Sequence, residues 1–144
     1  NWCFYEKTLI DLDNGIYKPI SKLEIGDKIK TGIVTGLVKT NATNIELYKY
    51  NNIILSGTSL VNINNEWKQI CEVNDSIYIG NNDLTMYNIV TDTNLISIRE
   101  EIFCDFDQTS EPTVNNYIDD LVIHFLNSKS NKYLYNNIFD DAPC

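Results

Sequence analysis

Most of the chain alternates short apolar runs with turn-forming residues, a pattern that is typical of β-strands. Asn-Gly, Asn-Asn and other Gly-containing pairs separate the runs and favour tight turns. The predicted strands are residues 9–11, 28–30, 33–39, 45–50, 53–55, 60–63, 77–79, 87–90, 95–98 and 102–106. So many short strands at nearly regular spacing predict a closed or horseshoe-like all-β fold. No internal repeat is evident in the sequence.

One segment near the C-terminus departs from this pattern. After Pro112, apolar residues recur at the spacing of one helix face, which predicts a helix over residues 113–127. The apolar residues are Val114, Ile118, Leu121, Val122 and Phe125. His124 lies beside this stripe and is interpreted as a packing residue rather than a catalytic imidazole. Residues 128–144 are predicted to form an extended tail or a final strand.

The composition is typical of a single globular domain. A chain of 144 residues with 43% hydrophobic and 22% charged residues is long enough for one globular domain with its own core. Its net charge of −9, with the Lys and Arg residues dispersed, predicts no nucleic-acid partner. No apolar run is long enough to span a membrane and no signal segment is visible, so no membrane partner is predicted.

The four cysteines, at positions 3, 71, 104 and 144, form no Cys-x-x-Cys pair, and the chain contains one histidine. No metal site and no cofactor are therefore expected. Cys71 is interpreted as a core residue, and Cys144 as an exposed thiol that is able to cross-link. A reducing intracellular compartment is favoured for the protein. The abundance of Asn and Ile, with almost all basic residues Lys, suggests an AT-rich genome such as that of a giant virus.

The N-terminal stretch carries the strongest functional signal. Cys3 leads into the apolar strand Thr8-Leu9-Ile10, a turn at Asn14-Gly15, and a Leu-x-x-Gly-Asp turn that ends at Asp27. This arrangement resembles the opening motif of the Hint superfamily, which comprises hedgehog autoprocessing domains, inteins and bacterial intein-like domains. The resemblance implies a Hint-type horseshoe of short strands with Cys3 on a central strand, and an approximate two-fold duplication that the sequence does not make evident.

In that family the first cysteine attacks the peptide bond that precedes it. Cys3 would attack the carbonyl of Trp2, so Trp2-Cys3 is the expected scissile bond and an upstream domain of the same precursor the expected partner. An unperturbed thiol with a pKa of about 8.5 supplies a few per cent of the nucleophilic thiolate at neutral pH. An external thiol, water or another nucleophile would accept the acyl group. Residues 1–2 are then a retained upstream flank, and residues 3–144 are the autoprocessing domain.

A second family motif is Thr-x-x-His at the end of a buried strand. Its match here places Ser56 in the threonine position and Ser59 in the histidine position, with the backbone of Gly57 and Thr58 as further candidate donors. A serine hydroxyl does not titrate near neutral pH as imidazole does, so the predicted activity is impaired. Either this copy is naturally weak, or a histidine has been replaced. The alternative is that 56–59 is only a polar turn.

The third motif is a late strand with an aromatic-Asp-Leu-Glu-like core, for which residues 102–107 are the only candidate, although Cys104 stands where the motif usually has an aromatic residue. Asp105 takes the acidic position and is expected to orient the catalytic groups, while Cys104 is either a core residue or a second thiol. Neighbouring side chains of a strand point to opposite faces, so Asp105 rather than Cys104 is expected to face the site.

The predicted function is therefore a cis-acting autoproteolytic domain. Splicing would also need an Asn before Cys, Ser or Thr, and Asn127-Ser128 is the candidate junction. Leu126 stands where a histidine usually precedes that Asn, so cleavage at the N-terminal side alone is favoured. Two alternatives remain: a degenerate, non-catalytic Hint-fold structural or binding module, and an unrelated all-β interaction domain.

Overall fold

The computed structural model of the chain describes residues 3–105. The predicted helix over 113–127, the tail after it, the candidate junction at Asn127, and the flank residues Asn1 and Trp2 lie outside the described residues. Within 3–105 the chain forms thirteen strands and two short 3₁₀ helices. The all-β prediction is confirmed for this part of the chain.

The described strands are short and follow one another closely along the chain. They are β1 (Phe4–Tyr5), β2 (Leu9–Asp11), β3 (Tyr17–Pro19), β4 (Lys28–Ile29), β5 (Gly32–Asn41), β6 (Leu47–Tyr50), β7 (Ile53–Ser56), β8 (Leu60–Ile63), β9 (Glu66–Gln69), β10 (Ile77–Gly80), β11 (Thr85–Thr91), β12 (Leu95–Ile98) and β13 (Glu101–Cys104). The 3₁₀ helices, Ile20–Lys22 and Ile70–Glu72, follow β3 and β9.

The strands form three antiparallel sheets. The seven-stranded sheet has the order β10-β6-β7-β1-β11-β5-β4, the four-stranded sheet β12-β13-β8-β9, and β2 and β3 form the third. Phe4 pairs with Leu55 on one side and with Tyr87 on the other, so β1 lies in the middle of the largest sheet. Cys3, the residue before β1, therefore enters at the centre of that sheet.

Asparagine pairs close two of the tight hairpins. Asn51-Asn52 joins β6 to β7 and Asn64-Asn65 joins β8 to β9, and all four residues have positive φ. Two-residue hairpin loops favour this left-handed backbone, and asparagine tolerates it better than most residues. The Asn-Asn pairs are thus turn signals that the structure uses as such.

One hydrophobic core joins the three sheets, and a smaller one lies on the opposite face of the large sheet. Phe4 packs edge-on against Phe103 of the four-stranded sheet, with ring centroids 5.3 Å apart. Because side chains alternate along a strand, Cys3 faces the other way and joins the smaller cluster. That cluster consists of Cys3, Ala42, Ile45, Leu47 and Met86. The candidate nucleophile is therefore separated from the main core by the sheet itself.

The segment after β1, residues 5–23, forms a hairpin followed by a 3₁₀ helix, and we call it the first hairpin unit. Its opening turn is closed by the N–H of Thr8 donating to the carbonyl of Tyr5, at 2.9 Å. The N–H of Ile20 then donates to the carbonyl of Thr8, at 2.7 Å, and Leu23 donates to Ile20, at 3.3 Å. These bonds fold the hairpin β2–β3 back onto its own start.

Residues 56–73, the second hairpin unit, repeat this backbone. The N–H of Ser59 donates to the carbonyl of Ser56, at 3.1 Å. Ile70 donates to Ser59, at 2.9 Å, and Val73 donates to Ile70, at 3.0 Å. The sequence shows no evident repeat, but the hydrogen bonds show two matching copies of one structural unit.

Candidate functional site

Cys3 is buried and bound through its backbone to Ser56. Only 1% of the surface of Cys3 is exposed. The N–H of Cys3 donates to Ser56 Oγ at 3.2 Å, and the carbonyl of Cys3 accepts from the N–H of Ser56 at 3.1 Å. The nitrogen in the first bond belongs to the Trp2-Cys3 peptide, so a serine hydroxyl contacts the amide that the sequence predicts to be cleaved.

A second buried hydroxyl extends this contact. Ser56 Oγ and Ser59 Oγ are 2.8 Å apart, and Ser56 and Ser59 are 0% and 1% exposed. Buried hydroxyls require hydrogen-bond partners, and each of these supplies one to the other. The structure thus brings Cys3, Ser56 and Ser59 together in one buried chain of hydrogen bonds.

The second hairpin unit explains why Ser59 lies here. Ser56 ends β7 beside Cys3, and the tight turn that returns the N–H of Ser59 to the carbonyl of Ser56 brings the two hydroxyls together. The same turn engages the N–H of Gly57, which donates to the carbonyl of Glu46 at 3.0 Å. The backbone of Gly57 was predicted to supply a hydrogen-bond donor to the site, and its N–H is occupied by this bond to Glu46.

Asp105 is fully buried and anchored by a turn between β11 and β12. Its Oδ2 accepts the N–H of Thr91 at 2.8 Å, and Asn94 Nδ2 lies 3.4 Å from each carboxylate oxygen. Phe103 pairs with Val61 in the β13–β8 ladder, so that register extended by two positions brings Asp105 opposite Ser59. Asp105 and Ser59 therefore lie at the same end of this strand pair.

Cys104 is buried beside Asp105 and is a free thiol. Burial and, to a smaller degree, the charge of Asp105 raise the pKa of the Cys104 thiol to about 11. The thiol therefore keeps its proton at neutral pH, as a core residue rather than a second nucleophile does. Burial of both residues does not distinguish which of them faces the site, so the choice of Asp105 over Cys104 stays a prediction.

Cys71 differs from both of these residues. It is half-buried rather than a full core residue. Its sulfur is part of a disulfide bond rather than a free thiol. Its N–H donates to the carbonyl of Gly57 at 2.9 Å, so Cys71 supports the turn that carries Ser59.

One buried polar residue of this region, Asn88, was not predicted from the sequence. It is 1% exposed and lies in the central strand β11, one position beyond the Phe4–Tyr87 pair. An asparagine among Met86, Ile89 and Val90 was the available signal, since asparagine is depleted in strands and rarely buried.

Within residues 3–105, no group of three His, Cys, Asp or Glu side chains is arranged to hold a metal ion. No helix in this part of the chain is long and apolar enough to cross a membrane. A surface cavity of about 720 Å³, lined by Lys7, Tyr17 and Arg99 among others, lies beside the first hairpin unit and does not include Cys3.

The fold is similar to that of inteins of known structure. The crystal structure of the gp41-1 intein matches with a TM-score of 0.55 and 14% identity, over 73% of this chain and 99% of that chain. A substituted form of the same intein matches with a TM-score of 0.51 and 14% identity, over 73% of this chain and 100% of that one. A DnaB intein from Synechocystis sp. PCC 6803 gives 0.52 and 12%, over 73% and 99%.

At these identities the likeness defines the fold, and the chain has a Hint-type, intein-like fold. The sequence matches no protein-family model. It also matches no curated protein. The case for a function therefore depends on the residues around Cys3.

Proposed function

We propose that the chain is a cis-acting autoproteolytic domain that converts the Trp2-Cys3 peptide bond into a thioester and releases the segment upstream. The observation that carries this proposal is the buried hydrogen bond from the Cys3 N–H to Ser56 Oγ, within an intein-like fold. An N-to-S acyl shift needs a nucleophile beside the peptide bond, which is the Cys3 thiol, and a polar group at the nitrogen that becomes protonated, where Ser56 Oγ lies.

The reaction is an isomerisation in which no atom enters or leaves. Cys3 Sγ loses its proton and attacks the Trp2 carbonyl carbon, and the carbonyl electron pair moves onto oxygen. The tetrahedral intermediate collapses, the carbon–nitrogen bond breaks, and the nitrogen of Cys3 takes up a proton. An external thiol, water or another nucleophile then cleaves the thioester and frees the upstream domain.

The two serines are suited to part of this task. Ser56 Oγ contacts the nitrogen that must be protonated, and Ser59 Oγ extends the hydrogen-bond chain by one hydroxyl. Hydroxyls can pass a proton along, but neither titrates near neutral pH, so the pair supplies no acid of its own. The proposed activity is accordingly slow, and Ser59 occupies the position where a histidine would accelerate it.

Asp105 would orient the catalytic group if position 59 carried a histidine. Its carboxylate is held by Thr91 and Asn94, and it lies at the Ser59 end of the β8–β13 pair. A buried negative charge at that end would orient and stabilise a protonated imidazole at position 59, as a carboxylate does for a catalytic histidine. With serine at position 59 this contribution is lost.

Thiol-dependent release of a reporter tests the proposal. A folded reporter domain is fused ahead of Asn1, and intact masses are followed with and without dithiothreitol. We expect release of the reporter ending at Trp2, which Cys3→Ala abolishes. Cys104→Ala is the matched control, because it removes the other described free thiol and should leave release unchanged.

A second candidate, a non-catalytic Hint-fold binding or structural module, is favoured by the non-titrating hydroxyl of Ser59. An unchanged mass in a folded protein, also after Ser59→His, would support the module and refute autoproteolysis.

A further inference from the structure

The backbone of β11 places Asn88 directly across from Cys3. Tyr5 pairs with Met86 and Phe4 with Tyr87, so the next pair in this antiparallel register is Cys3 with Asn88. Residues that face one another across two strands project to the same side of the sheet. Asn88 and Cys3 therefore share the face that carries the smaller cluster.

The hydrogen-bond alternation makes this a close pair. The N–H of Glu6 donates to the carbonyl of Thr85, so the odd-numbered residues of β11 direct their backbone groups to β1. Cys3, in contrast, directs its own N–H and carbonyl to Ser56. Cys3 and Asn88 thus occupy a non-hydrogen-bonded position, where facing Cα atoms are about 4.5 Å apart and side chains are closest.

The side chain of Asn88 is anchored at its oxygen. Asn88 Oδ1 accepts the N–H of Ile89 at 2.8 Å, on the β1 side of the strand. Two positions further, the N–H of Thr91 donates to Asp105 on the same side. This bond anchors the oxygen end of the Asn88 amide, whose other end, Nδ2, carries two N–H donors.

The Trp2 carbonyl must come close to this amide during the reaction. Attack requires the carbonyl carbon within about 3–3.5 Å of Cys3 Sγ, so the carbonyl lies beside the Cys3 side chain when it reacts. That position is on the face shared by Asn88. A neutral amide in a buried site can stabilise a developing negative charge without being reorganised.

We propose that Asn88 is a catalytic residue whose Nδ2 donates to the Trp2 carbonyl oxygen as Cys3 Sγ attacks and the oxygen becomes negatively charged. The proposal rests on the proposed function and adds a donor that the three sequence motifs do not contain. Asn88 takes no proton and forms no covalent bond. It stabilises the tetrahedral intermediate until the carbon–nitrogen bond breaks and the oxygen returns to a carbonyl.

The test uses the reporter fusion carrying Ser59→His, with and without a second substitution. Asn88→Ala should slow release by about 10²–10³-fold, the loss found on removing one oxyanion donor. Thr40→Val is the matched control, because Thr40 is a buried polar residue of the neighbouring strand β5 and pairs with Met86. It should change the release rate less than threefold, or about 0.6 kcal/mol.

Asn88→Asp separates a donor from a structural group. It keeps the oxygen acceptor but loses both donors at neutral pH, and its rate relative to the parent should recover as the pH falls and the carboxyl regains a proton. A flat ratio across pH, or an Asn88→Ala rate equal to the parent's, would overturn the inference while leaving autoproteolysis intact. Absence of release in the Ser59→His parent itself would refute the proposed function and the inference with it.

Discussion

The two hairpin units share a backbone but differ in the side chains at their opening turns. The first unit begins Tyr5-Glu6-Lys7-Thr8 and the second Ser56-Gly57-Thr58-Ser59, and each returns the fourth N–H to the first carbonyl. Thr8 is half-buried, whereas Ser59 is 1% exposed. A hydroxyl at the fourth position is thus common to both units, and only one of them directs it into a buried chain that reaches Cys3.

The units also differ in what they contact. β2 of the first unit packs against β12, where Ser97 Oγ donates to Asp11 Oδ2 at 2.7 Å. β8 of the second unit pairs with β13, which leads to Asp105. Among the described residues Asp11 Oδ1 has no hydrogen-bond partner, while both oxygens of Asp105 have partners. The second unit therefore lies beside the buried polar site that contains Ser59. The first unit, in contrast, makes a contact that supports the fold.

The largest expected effect separates the units by activity. Ser59→His should accelerate thiol-dependent release by roughly 10²–10⁴-fold, since it supplies a general acid near the leaving nitrogen. That corresponds to about 3–5 kcal/mol at roughly 1.36 kcal/mol per tenfold. Thr8→His, the equivalent change in the first unit, should leave the release rate unchanged, because no described hydrogen bond links Thr8 to Cys3.

Intact-mass time courses of both reporter fusions measure this difference. Ser59→Gln, which adds similar bulk without a titrating group, should not accelerate release, and Cys3→Ala added to Ser59→His should abolish it. Equal acceleration by Thr8→His and Ser59→His would remove the distinction between the units.

The two buried carboxylates offer the next comparison. Asp105→Ala should destabilise the fold by about 2–3 kcal/mol, because the N–H of Thr91 and the amide of Asn94 lose a charged acceptor. Asp11→Ala should cost less, because Asp11 holds one described side-chain bond, from Ser97. Urea unfolding of both variants measures the two costs, and a larger loss for Asp11→Ala would contradict the ranking.

A smaller loss is expected at the first position of the opening turn. Ser56→Ala leaves the buried N–H of Cys3 without its hydroxyl acceptor, which should lower the free energy of unfolding by about 1–3 kcal/mol. Ser56→Thr should retain most of the stability because the hydroxyl remains. Tyr5→Phe, at the equivalent position of the first unit, should stay within about 0.5 kcal/mol. Thermal or urea unfolding that ranks Tyr5→Phe as the worst of the three would refute this account.

The smallest effect concerns alkaline stability beside the second unit. Burial raises the pKa of Cys104 from 9.0 to about 11, so the folded thiol keeps its proton where the unfolded thiol loses it. Stability should therefore fall as the pH rises from about 9 to 11, and Cys104→Ala should flatten that decline. Tyr50, whose pKa burial raises to about 12, contributes at higher pH, so Tyr50→Phe should flatten the curve mainly above pH 10. If the stability of Cys104→Ala fell between pH 9 and 11 in parallel with that of the unsubstituted protein, the raised pKa of Cys104 would be contradicted.

The strand pattern was predictable because alternation and Asn-containing turns are local signals. Each predicted run within 3–105 corresponds to a strand, including the buried β7 and β11. The repeat of the hairpin unit was expected only from the family resemblance and is not visible in the sequence itself. The two copies share backbone hydrogen bonds but few residues: Lys18 and Lys68, Ile20 and Ile70 are identical, but the opening turns are not. Conformation is repeated here without the sequence that would reveal it.

The site was predictable in part, for a related reason. Ser56 and Ser59 were predicted from the resemblance to the Thr-x-x-His motif, and the structure links both hydroxyls to the N–H of Cys3 by hydrogen bonds. The occupied N–H of Gly57 and the position of Asn88 depend on β6 and β11, which meet this turn and β1 only in the folded sheet. Contacts between distant strands are set by register, and a single sequence does not specify that register.

Capture of the thioester is the sharpest test of whether Cys3 cleaves the Trp2-Cys3 bond. The Ser59→His reporter fusion is treated with hydroxylamine, and the products are mapped by mass spectrometry. The account predicts a reporter product that ends in a hydroxamate on the Trp2 carbonyl and a second product that begins at Cys3, neither of which appears in the Cys3→Ala variant. Cleavage at another bond, cleavage that persists without the Cys3 thiol, or no cleavage in the folded protein would contradict it.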